Sequence, residues 1–137
     1  MSGIHLDLGD RLLKYSSLVL RYSQQLPCDE FGNQAADEML TASFTALPEY
    51  GFASSSVSDR VFLSGCRLCL RRFLEVRHWL EAILERGVCS LDDTGALLRE
   101  TDALVSIFSG IVVQLSVRLG DFHGIGGDCQ DRRGGLY

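Results

Sequence analysis

Leu8, Leu12, Tyr15, Val19, Tyr22 and Leu26 follow one another at intervals of 4, 3, 4, 3 and 4. At 3.6 residues per turn these positions stack into one stripe of an α-helix, whereas a half-buried strand would need an interval of 2. A helix with such a stripe must be covered by other apolar helices, and the rest of the chain supplies them. Pro27 ends the first periodic run. A second helix is expected after the turn-like CDEFGN, with Met39, Leu40, Phe44 and Leu47 as its apolar positions and Pro48 and Gly51 kinking or ending its last turns. In SSSVSD, Ser56 and Asp59 have capping-box spacing for a long third helix that stops at Gly87. SLDD, Ser90 to Asp93, repeats the pattern and opens a fourth helix through Leu97, Leu104, Phe108, Ile111 and Leu115 to about Gly120. No stretch alternates as a strand would.

Short connections between consecutive helices favour antiparallel neighbours, so the expected fold is all-α, an up-down-up-down four-helix bundle over residues 1–119. With 137 residues, 46% of them hydrophobic and 23% charged, the chain suffices for one core without disulfide staples. Residues 120–137, rich in glycine and charge without periodicity, are expected to be a flexible tail. Their Gly-x-Gly-Gly has neither the strand nor the helix that a phosphate loop requires.

The formal charge of −5 opposes indiscriminate binding to nucleic acid or anionic membrane unless positive charge is locally concentrated. It is concentrated in the third helix. From Arg60 to His78 there are five arginines and one acid, Glu75, for a net of +4. At about 100° per residue, Arg60, Arg67, Arg71 and His78 lie within about 20° of one line, opposite Phe62, Cys69, Phe73, Val76 and Leu80. Arg72 and Arg77 complete the candidate binding set. One reading is a solvated back of an amphipathic helix. The other is a docking surface, since twelve of the thirteen basic residues are arginine, which grips phosphate and carboxylate bidentately.

Cys66 and Cys69 form a Cys-x-x-Cys, but a closed zinc site needs two further ligands and no second such pair follows, so they are expected to be core thiols with no metal and no cofactor. The five cysteines show no secretory spacing, and the N-terminus lacks a signal-peptide pattern, so a reducing cytoplasm is expected. No apolar run is long enough to span a bilayer. Catalysis has no supporting motif: there is no nucleophile elbow, no Glu-x-x-His pair and no Walker loop, and Asp92 and Asp93 fit a helix's first turn. A non-enzyme is expected.

A second apolar strip runs along the flanks. Leu63, Leu70 and Leu74 lie between the core side and the arginine line, and Leu98, Val105 and Val112 recur at heptad spacing on the fourth helix. They either widen the core or form a lateral subunit interface.

QQLPCDE closing the first helix, DEML opening the second, FASSSVSDRVFL between the second and third, and LRRFLEVRHWLEAI in the third together resemble the accessory variability determinants of diversity-generating retroelements. They are similar also to the four-helix proteins encoded by ribosomal RNA intervening sequences. The resemblance covers roughly residues 8 to 119. It implies a four-helix bundle assembling as a homopentamer, with a reverse transcriptase and a structured template RNA as partners in the retroelement branch. That branch is strongly basic and this chain is not. The intervening-sequence branch carries Asn-x-x-Glu in its second helix where this chain reads ALPE, so only Glu49 matches and no site residue is carried over.

Overall fold

The computed structural model describes residues 3–120, with side chains from residue 8 onward. The expected flexible tail therefore lies outside the described residues, apart from Gly120. Four helices run through the described part: α1 (Gly3–Ser23), α2 (Glu30–Ser54), α3 (Asp59–Arg86) and α4 (Leu91–Arg118). They form the antiparallel bundle expected. Contacts across two of the seams run in opposite numerical order, Tyr15 with Thr101 and Tyr22 with Thr94 between α1 and α4, and Arg67 with Ser116 and Arg77 with Asp102 between α3 and α4.

The stripe that opens the sequence is buried along its whole length, from Leu8 to Leu26. Leu26 itself lies past the end of α1, in a turn held by the Gln25 and Leu26 amides. At the centre, each helix contributes one buried aromatic. Tyr15 meets Phe73 edge-on at 5.6 Å, Phe73 meets Phe108 at 5.2 Å, and Phe108 meets Tyr50 at 5.7 Å. Edge-to-face rings add quadrupole attraction to the burial of area.

The α1–α4 seam also carries polar bonds. Thr101 Oγ1 donates to the Leu97 carbonyl at 2.8 Å, so in its 2.8 Å contact with Tyr15 the tyrosine hydroxyl is the donor. Arg11 clamps the same seam bidentately, with Nε and Nη2 at 2.8 and 3.1 Å from the Glu100 carboxylate. Hydrogen bonds between fixed heptad positions set the register of two helices more sharply than apolar contact does.

Helix ends follow local chemistry, with two differences from expectation. Ser90 caps α4, accepting from the Asp93 amide at 3.2 Å, and Gly87 closes α3 at φ +65°, a left-handed conformation that suits glycine. The cap of α3 is Ser58, not Ser56: Ser58 Oγ accepts from the Val61 amide at 3.2 Å, while Ser56 Oγ accepts from the Ser58 amide at 3.0 Å and orders the turn before it. The second helix starts earlier than expected, at Glu30, because Asp29 accepts from the Gly32 amide at 2.8 Å. It also runs through Pro48 to Ser54. A proline there removes one hydrogen bond, to the Phe44 carbonyl, but Pro48 is on the exposed side, where that carbonyl can face water.

The buried face of α2 is likewise not the one its large residues suggest. Ala35, Met39, Ala42, Ala46, Tyr50 and Ala53 point inward, Leu40 and Leu47 pack on the flank, and Phe44 is 46% exposed. Small residues win the inner face because they let α2 approach α3 closely, and a Cβ built on Gly65 would overlap that of Ala53.

Candidate docking surface

Because α3 is amphipathic over its full length, its core face fixes where every arginine points. Leu63, Cys66, Cys69, Phe73, Val76, Leu80 and Ile83 are buried, which turns Arg60, Arg67, Arg71 and His78 outward along one line. Arg71 is open, its side chain 78% exposed and its Nε 3.8 Å from Glu75. Arg60 and Arg67 lean toward α4. Arg60 Nη2 donates to the Leu119 carbonyl at 3.4 Å and Arg67 Nη2 to Ser116 Oγ at 3.1 Å.

The other two arginines do not join that line. Arg72 sits on the α2 side, with Nη1 3.1 Å from Glu75. Arg77 sits on the α4 side, between Glu81 at 3.5 Å and Asp102 at 3.3 Å. Their charge is spent within the chain. The bundle adds a cation that lies far away in sequence. The antiparallel pairing of α3 with α4 sets the end of α4 beside the start of α3, and there Arg118 meets Asp59 at 3.3 Å. A basic residue in the last turn of a helix that follows an arginine-rich antiparallel neighbour was the available signal.

Most of the second apolar strip packs inward in the single chain. Leu63 is buried at 2% exposure and is removed from the candidate oligomer interface. Leu70, Leu98, Val105 and Val112 are partly buried and pack against the core. The Arg67–Ser116 and Arg77–Asp102 contacts bridge α3 and α4 on the outer side of these positions. Leu74 is also half-buried, but outside the core cluster.

Cys66 and Cys69 lie in the core, with Cys69 Sγ donating to the Ala46 carbonyl at 3.4 Å. Among the described residues no cluster of His, Cys, Asp or Glu could hold a metal ion. Burial pushes both thiols from an ordinary 9.0 up to about 12, and for Cys69 the neighbouring Cys66 and Glu49 add to it. Burial, with smaller contributions from these two thiols, raises Tyr50 to about 12 as well. Groups raised in the fold contribute stability that is complete below their unfolded values and disappears as pH rises through the folded ones. The chain is therefore expected to hold its stability up to about pH 9 and lose it progressively between about pH 9 and 12. Urea unfolding at stepped alkaline pH measures this, and the Cys66→Ala variant should show a smaller loss over that interval. An equal loss in wild type and variant would contradict it.

No helix among the described residues is long and apolar enough to cross a membrane. No family model, curated protein or solved structure matches the chain.

Proposed function

We propose that this chain is a non-enzymatic accessory module, of the kind the sequence resemblance implies, that docks a reverse transcriptase or its structured template RNA through the outer face of α3. The observation that carries this reading is the outward line of Arg60, Arg67 and Arg71, extended by Arg118 at the end of α4. Four guanidiniums against two nearby acids, Asp59 and Glu75, give an acidic protein a local positive zone that its net charge conceals. The same resemblance implies a homopentamer, in which symmetry would repeat the basic zone around a ring.

A second reading, an oligomeric interaction protein with no nucleic-acid role, is favoured by the pairing of Arg72 and Arg77 with Glu75, Glu81 and Asp102. Those pairs reduce the charge left for phosphate.

Salt separates the two. If phosphates are gripped, each contact releases a counterion, so affinity for a structured RNA should fall by orders of magnitude between about 50 and 200 mM salt. Arg67→Glu with Arg71→Glu should abolish that binding while leaving helicity and the mass seen by light scattering unchanged. RNA binding that survives the double reversal would sink the first reading.

A further inference from the structure

We propose that the outer α3–α4 face takes an acidic, amphipathic segment of a partner protein, with aliphatic anchors seated between its arginines. The inference rests on the reading of this face as a docking surface and names its occupant. Aliphatic side chains lie beside the guanidiniums. Arg67 touches Ser116, and Val113 and Val117, one helical turn apart, flank that serine in sequence. They are 48% and 58% exposed, on an α4 whose inner positions Leu104, Phe108 and Leu115 are buried. At about 100° per residue, Val113 is turned about 60° from Ser116 toward solvent. On α3, half-buried Leu74 follows Arg71 on the same side. Aliphatic surface thus alternates with positive charge across the two helices.

Aliphatic groups gain by burial against other aliphatic groups, and a phosphate backbone offers them nothing. A surface for unpaired bases would present aromatic rings for stacking. The large rings of α3 and α4 are committed elsewhere, since Phe73 and Phe108 fill the core, Phe62 meets Tyr50 and Trp79 meets Phe31, which leaves the small imidazole of His78 as the exposed ring on the arginine line. Charge selects a ligand of opposite sign. Arg60, Arg67, Arg71 and Arg118 outnumber the acids near them, Asp59 and Glu75, each of which already holds an arginine. Carboxylates flanking an apolar stripe at intervals of three and four residues match this arrangement, as in helix-in-groove recognition.

The probe is a fluorescein-labelled synthetic peptide with leucines at i, i+3, i+4 and i+7 flanked by glutamates. Its control is a scrambled peptide of identical composition, and an RNA hairpin is titrated in parallel. The striped peptide is expected to bind at least about tenfold more tightly than the scrambled one. Val113→Ser with Val117→Ser should remove most of that difference and leave any RNA binding unchanged, whereas Arg67→Glu with Arg71→Glu should abolish peptide binding. Circular dichroism confirms the fold of each variant, and the single Val117→Ser substitution serves if the double one loses helicity. Equal binding of the two peptides, or indifference to the valine changes, overturns the proposal. RNA binding without peptide binding, lost on arginine reversal, overturns it while leaving the docking face standing. Binding to none of the three probes overturns both.

Discussion

Phe73→Ala is expected to lower the stability of the chain by about 3–5 kcal/mol, the range for deleting a fully buried aromatic and leaving a cavity. Phe73 has no exposed surface and touches two other rings of the core, Tyr15 at 5.6 Å and Phe108 at 5.2 Å. Those rings belong to α1 and α4, so the cavity opens where three helices meet and no single side chain can swing in to fill it. A domain of this kind has roughly 5–15 kcal/mol in total, so the variant would lose a large share of it. Phe73→Leu keeps most of the volume and should lose far less. Chemical denaturation followed by circular dichroism compares the two. A loss under about 1 kcal/mol for the alanine variant would mean that the four-ring centre described above is not the core of the fold.

Gly65→Ala should also destabilise, by about 1–3 kcal/mol, although the same change in an exposed helix interior usually stabilises by about 0.5–1 kcal/mol. The sign reverses because α2 and α3 touch at this point. A Cβ on residue 65 would overlap that of Ala53 and lie 3.5 Å from the Glu49 carbonyl oxygen. Neither atom can swing aside as the end of a long side chain could, so the helices would have to separate. At Gly110, exposed on α4, nothing lies within 4 Å of a built Cβ, and Gly110→Ala should follow the ordinary helix rule. The decisive variant pairs Gly65→Ala with Ala53→Gly. If close approach is the cause, the pair restores much of the stability lost to the single change. A double variant no better than the single one would rule that cause out.

These two positions show what kind of information each level carries. That residue 73 is buried is legible from the spacing of Phe73, Val76 and Leu80 alone. That residue 65 must lack a side chain is not, because its reason is an alanine on another helix.

The sequence by itself determined the number of helices in the described region, the caps at Ser90 and Gly87, the buried stripe of α1 and the outward line of Arg60, Arg67, Arg71 and His78. All of these depend on local geometry, since 3.6 residues per turn fixes the angle of each side chain on its own helix. Only the tertiary structure decided what stands opposite each angle. From sequence, Leu63, Leu70, Leu98, Val105 and Val112 could widen the core or form an interface, and in the bundle Leu63 is buried and the other four pack against the core. Arg77 looked available until α4 brought Asp102 to 3.3 Å, and Arg118 entered the candidate surface only because antiparallel packing placed it beside Asp59. Pro48 shows the reverse influence: packing of α2 against α1 and α3 on both sides outweighs one lost backbone hydrogen bond, so a local stop signal is carried through the helix. Periodicity specifies a direction, and the neighbour found in that direction is a property of the assembled bundle.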